Sequence, residues 1–289
     1  MINKIRKVLL KKNFDSIDDT FLRIDKSQVL RTNNIQYIPK KKFRSGGKVS
    51  YAEWAHVIGI FQTLIFLELE KDEGNKILDI GCGTGLLGIA CKNFVKKEGF
   101  YLGLDVVKEN INFCKKQYRD LKQLKFQHFN VNNGMYAKDQ SKVLKHWEVN
   151  DNSMDIVTAL SVWTHLNEKD AKFYFKEVNR VLRKGGKAII TFFYLDKMYI
   201  ETINERKNQN GEFHSTNQMS WIFDTSVYGS NEWFCPKYLS VPENAIGVTV
   251  EGLKQMLDET DLKMIKYYSG NWKEKLGVYF QDVLIFEKE

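Results

Sequence analysis

The residues with the most chemical content lie between Lys76 and Gly85, in the run KILDIGCGTG. An apolar stretch, 77–80, leads into glycines at 81, 83 and 85, and a helical pattern opens at Leu86. Glycines at this spacing let a ligand approach the main chain where a side chain would collide, and they permit a turn with positive φ. The amides that open the following helix can then face a polar ligand. Further on, at the end of a second apolar run, stands Asp105. A carboxylate there can accept bonds from both hydroxyls of a ribose. The pairing marks a nucleoside-containing cofactor.

Which cofactor is a separate question, because residues 83–88 also satisfy G-x-G-x-x-G. Three features oppose a dinucleotide. Asp79 lies two residues before the first glycine, where a pyrophosphate would meet a like charge but an α-amino group would be welcome. The loop starts at Gly81, so glycines 83–88 sit too far along the turn. The chain also closes with a helix and two adjacent strands rather than a second mononucleotide-binding half.

The elements that position these residues follow a clear rhythm. Ser50 caps a helix with Glu53 three residues on, and its apolar positions are Trp54, Val57, Ile58, Phe61, Leu64 and Ile65. Strands are expected over 77–80, 101–104, 124–129, 155–160 and 187–193, with helices over 86–95, 108–118 and 168–182 between them. Continuous apolar strands alternating with helices indicate an α/β fold with a parallel sheet covered on both faces. Residues 195–247 break the rhythm and read as a lid or substrate-side insertion, being too long for an ordinary connection. A helix over 250–259 and strands over 264–268 and 279–287 follow, the last pair antiparallel.

Charge is unevenly placed in the 289 residues, whose net charge is +8. Residues 1–50 hold 13 basic side chains and four acids, +9, and residues 51–289 hold 31 bases and 32 acids, −1. The chain therefore divides into a basic N-terminal extension, 1–50, and a near-neutral body, 51–289. A nucleic-acid-coating protein would spread its charge along the fold. The extension suits attraction to an anionic substrate or membrane surface, or is a solvated arm. No apolar run reaches the ~18–20 residues of a membrane span. The four cysteines, 82, 91, 114 and 235, lack metal-ligand spacing and read as reduced thiols of a cytoplasmic protein.

Beyond the glycine loop, the segments GLDVV, DNSMDIVTALSVWTHL and VNRVLRKGGKAIITF follow in order. With LDIGCGTG they resemble the successive motifs of class I S-adenosylmethionine-dependent methyltransferases over roughly residues 75–195. The resemblance implies a Rossmann-like seven-stranded sheet of order 3-2-1-4-5-7-6, strand 7 antiparallel, with S-adenosyl-L-methionine as cofactor. By position, Gly81, Cys82, Gly83 and Gly85 would wrap the methionine part, with Asp79 at its amino group. Asp105 would take the ribose and Val106 the adenine. Asn130, where the family more often has Asp, and Val131 would take the adenine edge and face. Leu160 and Ser161 would border the sulfonium. The segments GGKVSYAEWAHVIGIFQTLI and YSGNWKEKLGVYFQDVLIFEK are further similar to methyltransferases found with surface-glycan and polysaccharide biosynthesis genes.

Methyl transfer from a sulfonium chiefly needs alignment. A sugar hydroxyl also needs a base or a metal. His165, just beyond the fourth strand, is the best-placed base; the plainer alternative is that it caps the next helix or bonds the main chain. His56, Glu53 and His214 are secondary candidates, and His128 and His146 read as surface residues. No metal site is expected. Trp54, Trp163, Tyr194 and Trp233, with Trp221 and Tyr228, offer flat surface to an acceptor, or simply pack the insertion onto the core. The expected function is O-methylation of a sugar or other small hydroxylated acceptor. The alternatives are an RNA methyltransferase and a non-catalytic cofactor-binding subunit.

Overall fold

The computed structural model describes residues 35–45, 50–131, 144–206 and 221–289. His214 lies outside them. Helix α1 (Tyr51–Glu68) starts where expected, with the Ser50 hydroxyl accepting the Glu53 amide at 3.0 Å. The six apolar positions read from its periodicity are all buried, because they form the stripe that packs onto the sheet. The strands β1 (Lys76–Ile80), β2 (Phe100–Asp105), β3 (Leu124–His128), β4 (Met154–Ala159) and β5 (Leu182–Leu195) alternate with α2 (Leu86–Cys91), α3 (Lys108–Gln117) and α4 (Glu168–Val181). Asn167 caps α4 by accepting the Asp170 amide at 2.9 Å.

Strands β3, β2, β1, β4 and β5 lie side by side in parallel register. After β5 the chain forms α5 (Lys197–Arg206), the short strands β6 (Thr225–Ser226), β7 (Trp233–Cys235) and β8 (Gly247–Thr249), and α6 (Val250–Leu257). It closes with β9 (Leu262–Tyr268) and β10 (Asp282–Lys288). β10 inserts between β5 and β9 and runs antiparallel to both. The main sheet therefore has the order β3-β2-β1-β4-β5-β10-β9, the expected Rossmann-like order with its penultimate strand reversed. β5 is long enough to pair beyond β10 with β8, which continues through β7 to β6.

Two boundary differences have a visible cause. Helix α2 stops at Cys91 rather than 95, because the chain turns so that the Phe94 carbonyl accepts both the amide and the side chain of the buried Asn75 at the start of β1. The last strand begins at Asp282 rather than 279. Ahead of it, the main chain of 271–272 pairs with 279–280, and a Cβ at Gly270 would stand 2.4 Å from the main chain of Phe280 and Gln281. Ile38 is fully buried in the cluster under α1, and Phe43 stacks on Phe113 of α3 at 4.9 Å.

Candidate active site

β1 runs straight into the glycine loop, and the loop's conformation explains its composition. Gly81, Gly83 and Gly85 have φ of 68°, 53° and 89°. A Cβ at Gly81 would meet the Val162 side chain at 2.6 Å, and one at Gly85 would meet the Tyr118 ring at 2.5 Å. The loop is pinned to β2 from two sides. The Cys82 amide donates to the Leu104 carbonyl at 2.9 Å, and the Gly83 amide donates to Asp105 Oδ2 at 2.7 Å. Asp105 Oδ1 accepts the Val107 amide at 2.8 Å and lies 3.3 Å from Asn110 Nδ2. Burial raises the Asp105 carboxyl, and the two amide bonds oppose that rise.

Asp79 lies deeper. It is 1 % exposed, accepts the Thr158 hydroxyl at 2.9 Å on one oxygen and the Tyr101 hydroxyl on the other. Burial pushes its carboxyl up to about 7, against those two bonds.

The loop and the carboxyl ends of β2, β3 and β4 enclose a cavity of about 910 Å³. One end is formed by Ser45, Trp54 and the glycine loop. Beyond Asp105 and Val106 the wall becomes apolar, with Phe129, Val131, Trp147 and Tyr174; Trp147 and Tyr174 stack at 5.7 Å. The loop from Leu160 to Asn167 adds further lining, and Val241 and Glu243 join it there, the Glu243 carbonyl lying beside His165.

Within that loop the 3-10 turn Trp163–His165 sets the histidine. His165 Nδ1 lies 2.8 Å from the Glu243 carbonyl, which can only accept, so Nδ1 carries the proton and Nε2 is the basic nitrogen. Burial lowers its pKa, so the ring is neutral at pH 7. Ser161, with φ of 61°, is held by a closed polar circuit. Its amide donates to Thr191 Oγ1 at 2.7 Å, Thr191 donates to Gln281 Oε1 at 2.8 Å, and Gln281 Nε2 donates to Ser161 Oγ at 2.9 Å. The neighbouring Asp282 accepts the amides of Gly270 and Tyr194 and the Trp272 indole, each at 2.8–2.9 Å, and pairs with the fully buried Lys273 at 3.0 Å.

Comparison with known proteins shows the family. A methyltransferase domain model matches residues 71–270, which include the glycine loop, Asp105, the 160–167 loop and Glu243. The chain belongs to the methyltransferase family. The ubiquinone/menaquinone biosynthesis C-methyltransferase UbiE of Blochmanniella floridana is 30% identical over 144 residues, 50% of this chain and 52% of that protein. The arsenite methyltransferase of Rattus norvegicus is 27% identical over 190 residues, 66% of this chain and 50% of that protein. The chain thus spans about half the length of these curated relatives. Among solved structures, the PH0226 protein of Pyrococcus horikoshii aligns with a TM-score of 0.52 at 16% identity, covering 89% of this chain and 99% of that one, a likeness of fold. The cofactor of this class of methyltransferase is S-adenosyl-L-methionine.

The residues present fit that cofactor. The methyltransferase's loop puts no side chain from Gly81 or Gly83 on the cavity wall, a carboxylate stands at the β2 terminus, and flat apolar surface follows. Of the residues singled out in the sequence, Asp79, Gly81, Cys82, Gly83, Asp105, Val106, Val131, Leu160 and His165 line the cavity, as do Trp54 and Trp163. Gly85 stands behind the loop, where it admits Tyr118. Three expectations need correction. Asn130 is exposed and outside the lining, because β3 ends at His128 and the next turn directs Phe129 and Val131 inward. Tyr194 is turned away from the cavity toward Tyr267, 5.7 Å between rings. Trp233 is fully buried in the main core as part of β7. His56 and Glu53 are exposed on α1. His128, half-buried, bonds the Val106 carbonyl at 3.1 Å.

Sequence reasoning passed over Ser45, Phe129, Trp147, Tyr174, Glu243 and Gln281. Only Gln281 left a signal, in the Gln-Asp pair whose role the circuit around Ser161 now supplies. Among the described residues no helix is long and apolar enough to cross a membrane, and no three His, Cys, Asp or Glu side chains gather as metal ligands.

Proposed function

We propose that this methyltransferase transfers the methyl group to a hydroxyl oxygen of a sugar or other small hydroxylated acceptor, with His165 as the base. The carrying observation is the tautomer of His165: its Nδ1 proton is committed to the Glu243 carbonyl at 2.8 Å, and burial keeps the ring neutral. A neutral imidazole on the cavity wall can take the proton that a hydroxyl must lose. In this reading Asp105 holds the ribose hydroxyls, and Val106, Phe129 and Val131 flank the adenine. The glycine loop and Asp79 face the methionine part, and Leu160 borders the sulfonium. When bound, S-adenosyl-L-methionine supplies a methyl carbon on a positively charged sulfur, so no acid is needed for the leaving group. The protein's share is alignment, exclusion of water by the apolar wall, and removal of one proton.

The acceptor enters, in this account, past Val241 and Glu243, which belong to the 195–247 insertion over the 51–289 body. Lys169, Asp170 and Glu243 all line the cavity, a mixed set of charges that suits a small polar acceptor better than RNA. The relatives named for carbon and arsenite acceptors leave the oxygen assignment resting on His165. The test is transfer of labelled methyl to a panel of free and nucleotide-linked sugars. Transfer to oxygen, reduced about 10²–10³-fold in His165→Ala, is expected. Methyl recovered on carbon, or a variant as active as the parent, contradicts the reading.

A further inference from the structure

The segment 35–45, part of the basic extension read from sequence as a solvated arm or as a surface for an anionic substrate or membrane, reaches the cavity through Ser45. Ile38 is fully buried beneath α1 and Phe43 stacks on Phe113, and these two anchors carry Ser45 onto the glycine loop. The Ser45 amide lies 3.3 Å from Thr84 Oγ1, the two hydroxyl oxygens are 3.3 Å apart, and a Cβ at Gly83 would stand 3.2 Å from Ser45 Oγ. Both residues line the cavity, with Thr84 only 6 % exposed.

The hydroxyl pair leaves a donor over. Thr84 Oγ1 accepts the Ser45 amide, and the contact between the two hydroxyls uses one of their two protons. The second proton needs an acceptor, and a ligand in the cavity can provide it. The chemistry of a zwitterionic nucleoside then divides itself along the cavity. Asp105 suits a diol, the apolar wall suits a flat base, and neither Asp79 nor Asp105 tolerates a carboxylate. We infer that the Ser45–Thr84 hydroxyl pair seats the carboxylate of the cofactor's amino-acid end, so the strap 35–45 is a wall of the cofactor site. This rests on the reading above that the glycine loop faces the methionine part.

Two probes separate the ends of the ligand. S-adenosylhomocysteine carries the amino acid, and 5′-methylthioadenosine keeps the nucleoside but lacks it. In calorimetry on the full chain, Ser45→Ala weakens S-adenosylhomocysteine about tenfold, the scale of a hydrogen bond to a charged group, and leaves methylthioadenosine within about twofold. Ser45→Thr, which keeps the hydroxyl, retains the parent affinity for both. Equal loss for the two probes, or no loss for S-adenosylhomocysteine, overturns the inference alone. Binding of neither probe by the unaltered chain overturns the cofactor placement and the inference together.

Discussion

The two sides of the cavity are held by different means. On the β1–β2 side the wall is main chain: Gly81 and Gly83 at positive φ, with the amides of Cys82 and Gly83 tied to Leu104 and Asp105. On the β4–β5–β10 side it is a set of buried side chains, in which Gln281 fixes Ser161 and Asp282 gathers Gly270, Tyr194, Trp272 and Lys273. A wall of main chain recognises parts of a ligand that never change, and it demands glycine at each close approach. A wall of side chains can be rebuilt by substitution, so it is the side on which acceptors can differ between methyltransferases of one fold.

The contrast can be broken at several points. The largest effect is expected at Asp282→Ala, which takes from the fully buried Lys273 one of its carboxylate partners, Asp196 at 3.0 Å being another, and leaves the amides of Gly270 and Tyr194 and the Trp272 indole without their acceptor; it should cost about 3–5 kcal/mol in urea denaturation. Loss under about 1 kcal/mol would mean that the side-chain wall is not held by this carboxylate. Next is Gly85→Ala, where φ of 89° and the Tyr118 ring at 2.5 Å combine strain with a clash. The expected cost is about 2–4 kcal/mol, with cofactor binding reduced in parallel, as thermal melting with and without S-adenosylhomocysteine would report.

Asp79 gives a pH-dependent test of the buried link between β1, β2 and β4. Its folded pKa of about 7 lies above the ordinary 3.8, so the folded state keeps the proton longer than the unfolded chain does. Its contribution is therefore present at low pH and is lost as pH rises from about 4 to about 7. The Asp79→Asn variant lacks that fall, and the two proteins should converge or cross by on the order of 1–3 kcal/mol between pH 5 and pH 8. Parallel pH profiles would contradict the placement of this carboxyl. The smallest stability effect is expected at Ser161→Gly. Relief of the φ of 61° offsets the lost bond from Gln281, leaving stability within about 1 kcal/mol while turnover falls.

The same contrast explains which parts were legible in the sequence. The glycine loop, Asp105, the Ser50 cap and the buried face of α1 are local patterns, set by backbone sterics and helical period, and they read directly. The 195–247 region gave only its boundaries, because its short strands exist through pairing with β5 and with one another. Tyr194 and Trp233 were plausible acceptor contacts by residue type. Their surroundings depend on long-range pairing that residue type does not carry: β10 lies against β5 with Asp282 opposite Phe192, and the Tyr194 amide donates to the Asp282 carboxylate across 88 residues. Asn130 failed for a smaller reason, a strand that ends one residue earlier than its apolar pattern suggests. Ser45 was hidden by its neighbours, since a run of lysines and arginines reads as solvated whatever it packs against.

In the proposed reading the glycine loop and Asp105 together hold the nucleoside of S-adenosyl-L-methionine. Calorimetric titration of S-adenosylhomocysteine and of NAD into the parent chain and Asp105→Ala tests it most directly. Micromolar binding of S-adenosylhomocysteine to the parent is expected, with a loss of at least about tenfold in the variant and no comparable binding of NAD. Tighter binding of NAD, or an Asp105→Ala variant that binds S-adenosylhomocysteine as the parent does, would contradict it.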